Sequence, residues 1–138
     1  AELLSHEMVR SIKDVYRDRE FDLVTCVPMH KDTLRKRGYN QAELLAKECA
    51  SLLGIEYADL LAKTKKNKTQ HSIKAAERVK NVIGVYSPID KNLIKGKRIL
   101  IIDDIITTGS TLGECARILN KCKCGEICCC TLCTSLLI

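Results

Sequence analysis

Leu4, Met8, Ile12, Val15 and Tyr16 recur at helical spacing, which predicts an amphipathic helix over residues 2–19. Residues 21–27 then form an apolar, β-rich run closed by Pro28, the pattern of a short buried strand. Ala42, Leu45, Cys49 and Leu52 give a second helix its buried face, with Asn40 and Glu43 as a capping box ahead of it and Gly54 behind it. Residues 56–64 predict a second strand and residues 81–86 a third, paired as the two sides of the stretch between them. That stretch, K-T-K-K-N-K-T-Q-H-S, is polar, basic and without period, so it reads as a mobile loop. A polar link over 91–97 leads into Ile99 to Ile102, an uninterrupted apolar run expected of a strand buried on both faces of a parallel sheet. Leu112, Cys115, Ala116, Leu119 and Cys122 share a helix face, Gly125 is its expected cap, and residues 127–132 predict a last strand.

The chemistry concentrates where the Ile99 strand ends. Asp103 and Asp104 come first, then the hydroxyl-rich turn Thr107, Thr108, Gly109, Ser110 and Thr111, then the helix. A helix N-terminus offers unpaired N–H groups and partial positive charge, a good seat for a phosphate monoester. The hydroxyls add donors, and Gly109 lets the backbone approach closely. Two adjacent carboxylates repel an anion, so they call for hydroxyls or a hard cation instead. Vicinal hydroxyls a few ångströms from a phosphate, with a metal ion nearby, describe a ribose 5-phosphate. The alternative is an ordinary strand-to-helix turn of accidental composition. Neither G-x-x-x-x-G-K-[ST] nor G-x-G-x-x-G is present.

A second anion seat is expected after Pro28, where His30, Lys31, Arg35, Lys36 and Arg37 precede Gly38. The bland reading is a solvated basic turn. The six cysteines of C-x-C-x-x-x-C-C-C-x-x-C, from Cys122 to Cys133, invite a zinc or iron–sulfur reading. On a strand, however, Cys128 and Cys130 face away from Cys129, so these thiols are expected to be core residues.

Length and charge narrow the classes. A chain of 138 residues with 46% hydrophobic content is read as one domain over residues 1–138. It shows no long apolar span and no leader, so a cytoplasmic protein without a membrane segment is expected, its nine cysteines reduced. Ala1 is not a start methionine, so the chain reads as trimmed or as a fragment. A net charge of +6 suits anionic ligands, nucleotide or nucleic acid, without choosing between them.

The stretch I-L-I-I-D-D-I-I-T-T-G-S-T resembles the phosphoribosyl pyrophosphate (PRPP) loop of type I phosphoribosyltransferases. The blocks V-P-M-H through R-G-Y-N-Q-A-E-L-L-A and T-Q-H-S-I-K-A-A-E-R-V-K-N-V-I-G-V-Y resemble one branch of that group, the competence protein F (ComF) family. The resemblance implies an α/β, type I phosphoribosyltransferase fold. Its sheet would be mainly parallel and five-stranded, in the order 3-2-1-4-5 with strand 3 antiparallel, and covered by helices on both faces. It implies that Asp103 and Asp104 hold the ribose hydroxyls and Mg²⁺, that Thr107 to Thr111 hold the 5-phosphate, and that His30, Lys31, Arg37 and Gly38 belong to a pyrophosphate loop. Gln70, Arg78 and Asn81 would lie in a lid that excludes water from the reacting centre. The rivals to a lid are an ordinary loop or a nucleic-acid contact through Lys63, Lys65, Lys66 and Lys68. The N-terminal C-x-x-C zinc module of many ComF relatives is missing from this sequence.

The activity implied is Mg²⁺-dependent transfer of a 5-phosphoribosyl group from PRPP to a nitrogen acceptor, with pyrophosphate released. The chain runs only a few residues past its last predicted strand, which leaves little material to select a nucleobase. The second expectation is therefore a non-catalytic module for PRPP, a nucleotide or single-stranded DNA in DNA uptake. One phenylalanine, four tyrosines and no tryptophan make poor stacking platforms and disfavour a dedicated single-strand binder. Competence proteins and a second copy of the chain stay open as partners.

Overall fold

A computed structural model of the chain describes residues 2–65, 83–106 and 109–134. In order the elements are α1 (Glu2–Val15), β1 (Leu23–Cys26), α2 (Lys31–Arg37), α3 (Gln41–Leu53), β2 (Glu56–Tyr57), β3 (Leu61–Lys63), β4 (Tyr86–Pro88), α4 (Lys91–Ile94), β5 (Arg98–Ile106), α5 (Ser110–Lys121) and β6 (Glu126–Thr134). Four strands form a parallel sheet in the order β2-β1-β5-β6. Leu23 lies beside Ile99 and Cys26 beside Ile102, while Arg98 to Ile102 run alongside Glu126 to Cys130.

The apolar run of β5 is the centre of the molecule. Ile99, Leu100, Ile101 and Ile102 are all fully buried, because alternate side chains enter cores on opposite faces of the sheet. Leu100 and Ile102 pack with Val24, Leu45 and Cys49 beneath α1 and α3. Ile99 and Ile101 pack with Leu60, Ile94 and Leu119 beneath α4 and α5. The cysteines of β6 divide in the same way. Cys128 and Cys130 join the α1–α3 core, and Cys129 joins the α5 core. Burial raises the pKa of all three thiols above the usual cysteine range. Among the described residues no cluster of three or more His, Cys, Asp or Glu donors forms.

Several boundaries differ from the sequence pattern for local reasons. α1 stops at Val15 rather than near 19, because the polar run Arg17 to Glu20 has nothing apolar to bury. The expected strand over 56–64 breaks after Tyr57. There Asp59 turns to solvent while Leu60 and Leu61 turn into the α5-side core. Its second half, β3, pairs antiparallel with β4, Lys63 opposite Tyr86, and this ribbon stands apart from the sheet. The predicted five-stranded sheet is thus four parallel strands plus a two-stranded ribbon. Gly125 does not cap α5, which ends through Cys122 with Lys123 in the left-handed region (φ 62°). Gly125 is required for another reason: a Cβ there would stand 2.9 Å from the Gly96 carbonyl oxygen.

Candidate functional site

The sheet order places the site. From β1 the chain leaves through α3 to β2 on one side, and from β5 it leaves through α5 to β6 on the other. The carboxyl ends of β1 and β5 therefore flank a point where the connections diverge, and open α/β sheets bind ligands in that crevice. Pro28 to Lys31 follow β1, and Asp103 and Asp104 lie within the last four residues of β5, which runs through them to Ile106 rather than ending ahead of them. The two anion seats expected from the sequence thus emerge from neighbouring strands.

Asp103 and Asp104 occupy unlike environments. Asp103 follows the parity of Ile99 and Ile101, so it sits on the α5 side and is only 9% exposed, whereas Asp104 is half-buried. The Asp104 N–H donates to Asp103 Oδ1 at 2.9 Å. Burial first, then the adjoining Asp104 carboxyl, pushes the Asp103 pKa up to about 7. The acidic pair therefore holds a proton, or needs a cation, to be comfortable.

Beyond the pair, Gly109 has φ 78° and is the N-cap of α5, with no side-chain cap. A side chain would be strained in that conformation, so glycine is the residue that lets the loop enter the helix here. Gly109 has no side chain to cap the first turn of α5, whose backbone N–H groups are of the kind that hold an anion. Ser110 and Thr111 open the helix and are half-buried. Thr107 and Thr108 lie outside the described residues, as do Gln70, Arg78 and Asn81 and with them the proposed lid.

On the β1 side the structure departs from a loop. Residues 31–37 form α2, with three cations in its last turn where the helix dipole favours them. His30 is the N-cap, its Nδ1 accepting from the Asp32 N–H at 3.1 Å, so one ring nitrogen is committed to structure. Gly38 ends the helix at φ 84°, the left-handed position glycine favours. Lys31, Arg35, Lys36 and Arg37 are exposed, and no ion pair holds them among the described residues. Asn40 ties the segment's far end back to β1. Its Oδ1 accepts from the Ala42 N–H at 3.1 Å and its Nδ2 donates to the Val27 carbonyl at 3.3 Å. The capping box is half-made, because Glu43 instead pairs with Lys47 at 3.0 Å.

A recess of about 550 Å³ lies between this basic segment and the β3–β4 ribbon, lined by residues that include His30, Lys31, Asn40, Asp59 and Lys63. Two residues not singled out as site residues by sequence shape its surroundings. Tyr86 is buried and lies near Asp103, and burial first, then the neighbouring Cys115 and Asp103, raises its pKa. The Lys63 ammonium stands 5.8 Å from the Tyr86 ring centroid, and burial lowers the Lys63 pKa. Only the pairing of β3 with β4 brings these two together; no spacing in the sequence marks it.

The phosphoribosyl transferase domain profile matches residues 39–136. Competence protein F of Haemophilus influenzae is 31% identical over 90% of this chain and 56% of its own length. The DNA utilization protein YhgH of Escherichia coli K12 is 29% identical over 72% of this chain and 44% of its own length. The chain thus spans about half the length of the curated relatives it matches. Among solved structures, adenine phosphoribosyltransferase from Saccharomyces cerevisiae superposes with a TM-score of 0.64 at 16% identity, covering 96% of this chain and 66% of that one. No described helix is long and apolar enough to cross a membrane. With its parallel sheet, its divergent strand ends and these matches, the chain belongs to the phosphoribosyltransferase domain family, in its ComF group.

Proposed function

We propose that the domain binds PRPP with Mg²⁺ and transfers its 5-phosphoribosyl group to a nitrogen acceptor, releasing pyrophosphate. One observation supports this most: an acidic pair and an uncapped helix N-terminus end one strand, and a basic helix follows the neighbouring strand across a divergent pair of connections. In this reading the first turn of α5, with Ser110 and Thr111, holds the 5-phosphate, and Asp103 and Asp104 accept from the ribose hydroxyls. Lys31 and Arg37 face the pyrophosphate, while Asn40 keeps their segment anchored to β1.

The acidic pair fits a hard cation, because a buried carboxyl pushed up to about 7 by its surroundings and an adjoining acid lacks positive charge. No third donor closes a cage among the described residues, so Asp103 and Asp104 would share Mg²⁺ with ligand oxygens. When bound, the ion would neutralise charge on the departing pyrophosphate. The protein's own work is electrostatic and positional: the acceptor nitrogen attacks C1 as the C1–O bond to pyrophosphate breaks, and no covalent nucleophile is required.

The names of the relatives, competence protein F and DNA utilization protein, support a second reading. In it the domain binds PRPP or a nucleotide as a regulatory module in DNA uptake and does not turn over. Pyrophosphate release, assayed with PRPP and Mg²⁺ across purines, pyrimidines and ammonia, separates the two. Release with any one acceptor supports the transferase. Saturable PRPP binding with no release under any acceptor supports the module.

A further inference from the structure

At the other end of the sheet, a recess of about 440 Å³ opens between the end of α1, the approach to β1 and the turn from α3 to β2. Arg98, on its rim, starts the strand that carries Asp103, five residues on; at about 3.3 Å per residue the two positions are roughly 17 Å apart. The recess is therefore separate from the crevice described above, and the proposed transfer leaves it unused.

Its floor is apolar and partly aromatic, formed by Ile12, Tyr16, Phe21, Leu53 and Ile55. The Tyr16 and Phe21 rings meet edge to face, 5.8 Å between centroids and 89° between planes. The Tyr16 hydroxyl donates to the Cys129 carbonyl at 3.0 Å, which fixes that ring. The wall is thus formed without a ligand.

Its rim is cationic: Lys13, Arg17, Arg19 and Arg98, against Glu20. Two of these charges are already engaged. Arg98 is held by Asp22 at 3.0 Å and Glu20 at 3.5 Å, and Arg19 is paired with Glu126. Lys13 and Arg17, four residues apart and exposed, have no ion pair among the described residues. The ends of α1 and α3 near the recess would oppose an anion, and a last-turn carbonyl of each is occupied. Ile55 N–H bonds the Ala50 carbonyl at 2.9 Å, and Tyr16 N–H bonds that of Ile12 at 2.9 Å.

We infer that this recess binds a small planar aromatic anion, an aryl phosphate or carboxylate, its ring against Phe21 and Ile55 and its charge at Lys13 and Arg17. An apolar floor alone would suit any greasy group; the two unengaged cations at its mouth select one that carries negative charge. Its volume lies within the range of small-molecule sites. The inference stands apart from PRPP binding and survives its failure.

The test is titration of ¹⁵N-labelled protein with 2-naphthyl phosphate, with inorganic phosphate as the ring-free control. Saturable amide shifts are expected between Ile12 and Phe21 and at Ile55, and inorganic phosphate should leave them unmoved. The exposed double variant Lys13→Glu, Arg17→Glu should weaken binding at least tenfold, and Asp103→Asn should not change it. Shifts confined to Gly109, Ser110 and Thr111, equal shifts with inorganic phosphate, or undiminished binding by the double variant would each overturn the inference.

Discussion

Replacing Asp103 by asparagine is expected to stabilise the protein at alkaline pH while impairing it as a binder. Asparagine keeps the shape and an oxygen to accept from the Asp104 N–H, which now bonds Asp103 Oδ1 at 2.9 Å. It removes the charge that burial and Asp104 disfavour, the cause of a pKa raised from 3.8 to about 7. The sign follows from linkage: between those two values the folded state binds a proton the unfolded chain has released, so stability falls as pH rises through the window. At about 1.4 kcal/mol per pH unit, the displacement from 3.8 to about 7 has a ceiling of about 4 kcal/mol above pH 8. Because the two carboxyls share the proton and Asp104 reaches water, a gain of about 2 kcal/mol is expected from the variant. Urea unfolding at pH 5 and pH 8.5 measures it. The variant should exceed the wild type by little more than a third of this gain at pH 5, where the unfolded chain has already released its proton, and by the whole of it at pH 8.5, and bind PRPP more weakly at both. Asp104→Asn should gain less, because burial outweighs the neighbouring charge at Asp103. Stability differences that stay constant across the pH range would refute the reasoning.

Three further outcomes follow from the packing. Asn40→Ala should cost about 1–2 kcal/mol in unfolding free energy, because it removes a helix cap and leaves the buried Val27 carbonyl without its donor; PRPP affinity should fall with it, measured by calorimetry at a temperature where the fold is intact. Gly125→Ala should cost about 1–3 kcal/mol by urea titration, since its Cβ would meet the Gly96 carbonyl oxygen at 2.9 Å and backbone cannot yield as a side chain does. Leu100→Ala, at a fully buried position beneath α1 and α3, should cost about 3–4 kcal/mol and lower the cooperative melting midpoint.

The site was most legible where local sequence decides its own geometry. Ile99 to Ile102 could be read as a doubly buried strand because burial on both faces leaves no polar position in the run. The cysteines of β6 could be sorted to opposite faces because a strand's period is two, whatever the side chain. The basic segment after Pro28 was read as a loop, yet it is a seven-residue helix. Its apolar residue Leu34 is exposed, so no buried stripe betrays it, and the helix rests on caps and dipole instead. Tyr86 was missed, and Lys63 was read only as a rival nucleic-acid contact, for another reason. Their bearing on the site comes from β3 pairing with β4 across 22 residues of chain, and such a pairing leaves no local mark. Likewise Gly125 was identified as special, but the demand comes from Gly96 across the fold rather than from the helix it follows.

The proposed function requires the acidic pair near the end of β5 to hold a phosphoribosyl ligand. Calorimetric titration of PRPP in the presence of Mg²⁺, into the wild type and into the double variant Asp103→Asn, Asp104→Asn, tests it directly. Saturable binding of one PRPP per chain is expected from the wild type, weakened at least tenfold in the double variant while its circular dichroism spectrum is unchanged. Absence of binding by the wild type, or equal binding by the two proteins, would contradict it.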